Sequence, residues 1–199
     1  ASKVLVQLEK ENLSIGKRIL AQELQLTVRG QDKIGIIGPN GVGKSTLLTK
    51  LQQLLSAKRE ISLGFMPQDY HKKLELDLSP VAYLSQTGQK EELQKIQSHL
   101  ASLNFSYPEM QHQIRSLSGG QQGKLLLLDL VLSKPNFLLL DEPTRNFSPT
   151  SQPEIRKLFA TYPGGLVTVS HDRRFLKEVC TSLYRLTEHG FEVVELQDL

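Results

Sequence analysis

The chain has 199 residues and a formal net charge of +3, with 24 lysines and arginines against 21 acidic residues. This length is enough for one domain with a real apolar core, and so small a positive excess does not require nucleic acid as a partner. No apolar run approaches the length of a membrane span, the first residues lack the pattern of a signal peptide, and the single cysteine favours a soluble protein in a reducing, cytoplasmic setting.

The N-terminal part of the chain has the alternation that is typical of half-buried strands. Residues 3–8 alternate apolar and polar side chains, and residues 24–28 do so again. We interpret the residues between these two strands as a polar loop. The next run, Ile34–Ile37, is unbroken and rich in β-branched residues, which predicts a central strand covered on both faces.

A glycine-rich stretch follows this strand and precedes a predicted helix, Lys44–Leu55. The stretch reads Gly38-Pro39-Asn40-Gly41-Val42-Gly43-Lys44-Ser45 and matches the pattern G-x-x-x-x-G-K-[ST]. Because its glycines lack a Cβ, backbone N–H groups can curl around a phosphate at the positive end of the helix. Lys44 adds a charge for the β- and γ-phosphates, and Ser45 adds a hydroxyl for the Mg²⁺ bound to them. The alternative is a glycine turn with an exposed lysine.

The rest of the chain alternates short apolar strands with helices. The helix Lys44–Leu55 carries a leucine stripe that we expect to pack on the sheet: Leu47, Leu48, Leu51, Leu54 and Leu55. Further strands are predicted at Ile61–Met66, Phe137–Leu140, Leu166–Ser170 and residues 191–195, and helices at about Gln121–Ser133 and Glu154–Tyr162. A helical insert spans residues 70–116, where Ser79-Pro80 reads as an N-cap followed by a first-turn proline. The pattern predicts an α/β fold with a largely parallel sheet flanked by helices.

Candidate catalytic residues follow the predicted strands, whose carboxyl ends meet at one edge of a parallel sheet. Asp141 ends an apolar strand, the position of a carboxylate that holds Mg²⁺, and Glu142 beside it is placed to orient or deprotonate a water. On the γ-phosphate side, we expect Gln68 to act as a ligand to Mg²⁺ or water and His171 as a hydrogen-bonding sensor. The alternatives are an acidic cap after a strand and two ordinary polar residues.

Two other residue types suggest no chemistry. Cys180 lies at helical spacing from Phe175, Leu176 and Val179, so we interpret it as a small buried apolar residue rather than a nucleophile. The other histidines have neither the mutual spacing nor the cysteine partners of a zinc site: His71, His99, His112 and His189.

The stretch Leu117-Ser118-Gly119-Gly120-Gln121 opens a helix, a second place where backbone amides can meet an anion. Its position after the insert resembles the signature motif of ATP-binding-cassette (ABC) ATPases. The glycine loop, Gln68, this motif, Asp141-Glu142-Pro143-Thr144 and His171 also occur in that family's order. The resemblance covers nearly the whole chain and implies a P-loop NTPase fold with a small N-terminal antiparallel β part. It implies one cassette over residues 1–199, with a core of 1–69 and 134–199 and a helical subdomain, containing the signature, of about 70–133.

The resemblance also implies ATP and Mg²⁺ as ligands, ATPase activity, and roles for particular residues. Catalysis would fall to Glu142, His171 and Gln68, and the metal to Ser45, Gln68 and Asp141. The nucleotide would be bound by Gly38, Pro39, Asn40, Gly41, Val42, Gly43, Lys44, Ser45 and Thr46. A second ATP, held by a partner nucleotide-binding domain, would be closed in by Ser118, Gly119, Gly120 and Gln121. That partner would be a second copy or a companion cassette in a longer chain.

Within the family, Val169-Ser170-His171-Asp172-Arg173-Arg174-Phe175-Leu176 resembles the soluble ABC-F branch. Members of that branch act on ribosomes, in translation or antibiotic resistance, and carry two cassettes, so this chain looks like one half. The alternatives are the ATPase subunit of a membrane transporter, whose partners would be membrane subunits, and a nucleotide-gated binding module with little turnover. Two residues depart from the family pattern: Ile15 stands where an aromatic residue usually stacks on adenine, and Ser148 stands where an aspartate usually ends the loop after Thr144.

Overall fold

The computed structural model describes residues 2–199 and divides into two compact units. The core unit comprises the residues up to Gln68 together with Pro135–Arg145 and Pro149–Leu199. The helical unit comprises Asp69–Lys134 together with Asn146–Ser148. In the described part of the chain, no helix combines the length and the apolar character that a bilayer span requires.

Two long antiparallel strands open the core unit: β1, Val4–Ile15, and β2, Arg18–Arg29. The prediction of a polar loop between residues 8 and 24 was therefore wrong. Register shifts interrupt the pairing of these strands, and Lys10 and Glu23 adopt positive φ angles of 51° and 53°. Irregularities of this kind shift the side chains between the two faces, so the alternation that identifies a strand in the sequence is lost there.

The remaining strands are β3, Lys33–Ile37; β4, Leu63–Met66; β5, Phe137–Asp141; β6, Gly165–Val169; β7, Ser182–Thr187; and β8, Gly190–Val194. They form one six-stranded sheet in the order β4-β5-β6-β3-β7-β8. Every pairing is parallel except β7 with β8, which confirms the predicted largely parallel sheet.

Two strands differ from the sequence predictions. Strand β4 begins at Leu63 rather than at Ile61. Strand β7, which pairs with the central strand β3, was not predicted. Only Leu183 and Leu186 are buried in β7, so its polar side chains leave no apolar run for the sequence to reveal.

The helices are α1, Lys44–Ser56; α2, Pro80–Leu84; α3, Lys90–Ser102; α4, Tyr107–Gln111; α5, Gly119–Leu132; α6, Gln152–Ala160; and α7, Arg173–Val179. Helix α1 packs on the strands of the core unit through four fully buried leucines: Leu47, Leu48, Leu51 and Leu55. Leu54 was expected to join them but is 38% exposed. In the last two turns of α1, only Leu51 and Leu55 are buried among the leucines.

The helical unit contains α2–α5, and serine caps begin three of these helices. The Ser79 hydroxyl accepts from Ala82 N–H at 3.2 Å, as the Ser-Pro pattern predicted. Ser106 and Glu109 form a reciprocal capping box at α4. Helix α5 starts at Gly119 rather than at Gln121, because the Ser118 hydroxyl accepts from Gln121 N–H at 3.2 Å and fixes the helix start there.

Candidate functional site

A cavity of about 960 Å³ lies in the core unit, within the usual range of ligand pockets, roughly 300–1,000 Å³. Its walls include residues that follow four neighbouring parallel strands, β3, β4, β5 and β6, and residues from the β1–β2 hairpin. Residues at the carboxyl edge of the sheet therefore line one cavity, as expected for parallel strands.

The glycine loop connects β3 to α1 and follows a path that side chains would obstruct. Gly38 has a φ of 151°, and a Cβ on it would lie 2.7 Å from the Leu186 carbonyl oxygen. Gly43 has a φ of 110°, and a Cβ there would lie 2.9 Å from a Leu13 methyl carbon. Gly43 is also the N-cap of α1 but has no side chain to cap it, so the first-turn amides remain available to an anion at the cavity wall.

Lys44 is held inside this loop. Its Nζ donates hydrogen bonds to the carbonyl oxygens of Gly38 at 2.7 Å and Pro39 at 2.9 Å, and only 8% of the residue is exposed. Burial lowers the pKa of Lys44, while the carboxylates of Glu142 and Asp141 oppose that shift. The site thus contains a buried cation whose donors are bonded to neutral carbonyl oxygens, and charged phosphate oxygens can compete for those donors.

Ser45 and Asp141 meet at the base of the cavity. The Ser45 hydroxyl donates to Asp141 Oδ2 at 2.8 Å, and Asp141 is 6% exposed at the end of β5. Burial raises the pKa of the Asp141 carboxyl, and the Ser45 hydroxyl bond partly offsets the rise. A hydroxyl and a carboxylate side by side are hard oxygen donors, the set that Mg²⁺ prefers.

Glu142 is fixed by an unusual backbone conformation and by His171. Its φ is 51°, and its N–H donates to the Val169 carbonyl oxygen at 2.8 Å. The Glu142 carboxylate accepts from His171 N–H at 3.2 Å and also contacts Nδ1 of the His171 ring. The Glu142 side chain is 12% exposed whereas the His171 side chain is 58% exposed. A carboxylate anchored in this way has little freedom to turn away from the cavity.

The structure brings most of the predicted residues to this one cavity. The predicted residues that line it are Asn40, Gly41, Gly43, Lys44, Ser45, Thr46, Gln68, Asp141, Glu142 and His171. Gly38 and Pro39 contribute through the carbonyl groups that hold Lys44, while the Val42 side chain belongs to the apolar core. Ile15 also lines the cavity and is 58% exposed.

Ser118–Gln121 do not line this cavity but form the start of α5 in the helical unit. Besides the Ser118 cap, the Gly119 carbonyl oxygen accepts from the Tyr70 hydroxyl at 3.1 Å. The His71 ring nitrogen Nδ1 lies 2.8 Å from Oε1 of Gln122, the fourth residue of α5. The segment after Gln68 therefore contacts the first turn of α5.

Sequence reasoning missed several residues that line the cavity: Arg18, Leu20, Thr144, Arg145, Gln152, Val169 and Asp172. Arg18 and Leu20 fell in the supposed polar loop, so recognising β2 would have been needed to find them. Thr144 and Arg145 lie two and three residues after Glu142, and that proximity was the available signal. The Thr144 hydroxyl donates to Asp172 Oδ2 at 3.0 Å, a link that sequence spacing does not reveal.

Comparison with known proteins gives one family match and many relatives. The family model described as "ABC transporter" matches residues 21–145. Probable ATP-binding protein YheS of Escherichia coli strain K12 is 31% identical over 195 residues, which cover 94% of this chain and 31% of that protein. An uncharacterized ABC transporter ATP-binding protein, YfmR of Bacillus subtilis strain 168, is 32% identical over 198 residues, covering 92% and 31%. ATP-binding cassette sub-family F member 3 of Pongo abelii is 27% identical over 186 residues, which cover 90% of this chain and 26% of that protein.

Two further findings concern length and fold. This chain spans about a third of the length of the curated relatives it matches, 31% in the case of YheS. Among solved structures, the dimeric post-hydrolysis state of the ATP-binding cassette MJ0796 bound to ADP and Pi superposes with a TM-score of 0.75 at 18% identity, covering 96% of this chain and 98% of that one. At such identity the match establishes the fold.

Proposed function

We propose that this chain, which belongs to the ABC transporter family of ATP-binding cassettes, binds MgATP and hydrolyses it to ADP and phosphate. One observation supports the proposal above the others. A loop lysine, a Ser45–Asp141 pair and a Glu142–His171 pair line a single cavity of about 960 Å³. Each of these groups answers a separate need of phosphoryl transfer, namely phosphate binding, metal binding and activation of water.

Phosphate binding falls to the glycine loop and Lys44. The first-turn amides of α1 carry the positive end of the helix dipole, and Lys44 Nζ exchanges its bonds to Gly38 and Pro39 for phosphate oxygens. Charge-assisted bonds of this kind are about twice as strong as neutral ones. When a triphosphate binds, the buried lysine therefore bonds to charged oxygens in place of neutral carbonyl oxygens.

Metal binding falls to Ser45 and Asp141, with the Gln68 side chain on the same cavity wall. Their oxygen donors fit Mg²⁺, which takes one or two protein carboxylates together with phosphate oxygens. When bound, Mg²⁺ neutralises charge on the β- and γ-phosphate oxygens. A bound cation would stabilise the buried Asp141 carboxylate, because burial alone disfavours its charge.

Hydrolysis needs a base for the attacking water, and Glu142 is the residue placed for it. Glu142 takes a proton from the water as the water oxygen bonds to the γ-phosphorus, and the bond from that phosphorus to the β–γ bridging oxygen breaks to leave ADP. His171 acts as a positioning residue, because its N–H and ring nitrogen hold the Glu142 carboxylate.

We further propose that the chain works as part of a dimer of cassettes. The motif Ser118–Gln121 would then cover ATP held by the partner, and the MJ0796 cassettes of the same fold are described as dimeric. The partner would be a second copy or a companion cassette, and the two-cassette arrangement fits a chain that spans 31% of YheS.

The proposed setting is the ribosome, as in the ABC-F branch. Its support is the resemblance of Val169–Leu176 to that branch and the likeness to a sub-family F member over 90% of this chain. Co-sedimentation of the protein with ribosomes in ATP would support this setting. Co-sedimentation with membranes in its place would favour a transporter subunit.

Lys44→Ala tests the proposal directly. We expect affinity for MgATP to fall by at least about 100-fold, because the loop loses its charged donor. Titration calorimetry measures the affinity, and circular dichroism checks the fold. The matched control is Lys177→Ala, an exposed lysine on α7 that does not line the cavity and should leave affinity unchanged. Equal affinity in a folded Lys44→Ala variant would reject the site.

A further inference from the structure

Arg145 lines the cavity but takes no part in the steps proposed above. Its side chain lines the same space as Lys44, Glu142 and His171. The residue is exposed, so its guanidinium can turn toward a ligand without first leaving a buried position. The structural alternative is an ordinary surface arginine in a turn.

The backbone that leads to Arg145 is fixed by several hydrogen bonds. Glu142 has a φ of 51°, and Arg145 N–H donates to the Glu142 carbonyl oxygen at 3.2 Å, which closes a turn. Thr144, 3% exposed, is tied to Asp172 Oδ2 by a 3.0 Å hydrogen bond. Asp172 itself caps α7, because its Oδ1 accepts from Phe175 N–H at 2.9 Å. The arginine therefore starts from a rigid point beside the proposed base.

The charge of Arg145 lies at the acidic end of the cavity. Among residues 2–199, no carboxylate lies within salt-bridge distance of its guanidinium. Its field reaches Asp141, where it joins Ser45 and Lys44 in opposing the rise in pKa that burial causes. A cation in this position is available to a ligand, and it lies on the same side of the cavity as Asp141 and Glu142.

The proposed function puts the γ-phosphate at that end, between Lys44, Ser45 and Glu142. A γ-phosphate has three outer oxygens, each able to accept more than one hydrogen bond, whereas a single lysine supplies only three donors. A guanidinium offers five N–H donors in a planar fork that matches two phosphate oxygens. In other phosphoryl-transfer enzymes an arginine in this role raises turnover by about 10³–10⁵-fold.

We propose that Arg145 binds the γ-phosphate of ATP and makes this cassette distinguish ATP from ADP. The inference rests on the proposed function, since it needs ATP in this cavity. ADP has no γ-phosphate, so the Arg145 contact exists only with the triphosphate. Loss of the guanidinium should then weaken ATP binding and leave ADP binding nearly as it was.

The test compares affinities for ATPγS and ADP, each with Mg²⁺, by titration calorimetry on the whole chain. For Arg145→Ala we expect a loss of about 10- to 100-fold for ATPγS, the range of a charged hydrogen bond, and less than about 2-fold for ADP. Arg145→Lys should lose less for ATPγS, because it keeps the charge without the fork. Arg59→Ala, an exposed arginine away from the cavity, should change neither affinity.

Two results would overturn the inference. Parallel losses for both nucleotides in Arg145→Ala would mean a general electrostatic effect, and unchanged affinities would mean a turn residue only. Thermal melts of the free variants exclude misfolding as the cause of either. A wild-type chain that binds neither nucleotide would instead reject the proposed function, so the two failures are distinguishable.

Discussion

The Ser45 hydroxyl donates a 2.8 Å hydrogen bond to Oδ2 of Asp141, although 96 residues separate the two along the chain. Helix α1 supplies the hydroxyl and strand β5 supplies the carboxylate. The bond keeps two potential metal ligands, the hydroxyl and the carboxylate, together while the carboxylate stays buried. Such an arrangement favours function at the expense of stability.

The first prediction follows from the raised pKa of Asp141. Because the pKa of Asp141 is higher in the folded than in the unfolded protein, the ionised carboxylate opposes folding. The free energy of unfolding therefore falls as the pH rises through the folded-state pKa. Asp141→Asn removes that charge and keeps an oxygen that accepts from Ser45. We expect the melting temperature of the ligand-free protein to rise at neutral pH, on the order of 2–4 °C, and the difference to shrink as the pH falls.

Differential scanning fluorimetry across pH checks this, with Asp198→Asn as an exposed control. Added MgATP should reverse the order, because binding stabilises the wild type more than the variant. A variant that melts lower than the wild type at neutral pH would contradict the prediction.

The second prediction concerns the base of the nucleotide. The residues that line the cavity in the described chain include no phenylalanine, tyrosine or tryptophan, and Ile15 is exposed at the cavity wall. Ile15→Tyr should raise ATP affinity by about 2- to 10-fold through stacking. Ile19→Tyr is the matched control, since Ile19 is 50% exposed on the same hairpin but does not line the cavity.

In the same titrations, wild-type ATP and GTP affinities should differ by less than about 10-fold, because an aliphatic surface does not read the base edge. A wild-type preference for ATP above 100-fold would mean that other groups recognise adenine.

The third prediction concerns the start of α5. Ser118→Arg should leave ATP binding by the monomer nearly unchanged and block ATP-driven association, since the motif serves the partner's nucleotide. The substitution also removes a helix cap, which costs about 1 kcal/mol. Ser106→Arg is the control, because it removes a comparable cap at α4. This variant should still associate in the presence of ATP, as measured by light scattering. Association of Ser118→Arg at wild-type strength would reject the dimer model.

The fourth prediction uses Cys180 as a probe of the core unit. Burial raises the pKa of its thiol to about 12, and the residue is 5% exposed. Because the thiolate is the reactive form, a disulfide reagent at pH 8 should label native protein at least about 100-fold more slowly than urea-unfolded protein. Fast labelling of the native chain would place Cys180 in a mobile segment.

Sequence patterns predicted the buried strands well, because Ile34–Ile37 and Phe137–Leu140 are continuous apolar runs covered on both faces. They failed for β7, where polar residues alternate around Leu183 and Leu186, and for β1–β2, where bulges break the period. In the cavity, Lys44 and Asp141 could be predicted from the sequence, because Lys44 lies in a recognisable glycine-rich pattern and Asp141 ends an apolar strand. Arg18 and Arg145 were not predicted, because the sequence does not show in which direction an arginine side chain points.

The most direct measurement of the central claim is single-turnover hydrolysis of ATP by the wild type and by Glu142→Gln, with the companion cassette supplied where the chain alone does not associate. Glutamine keeps the size and one oxygen of Glu142 but cannot accept a proton. We expect hydrolysis to slow by about 10²–10⁴-fold with ATP affinity retained, while Glu154→Gln, exposed on α6, stays at the wild-type rate. Hydrolysis by Glu142→Gln at the wild-type rate would contradict the assignment of Glu142 as the base of an ATPase site.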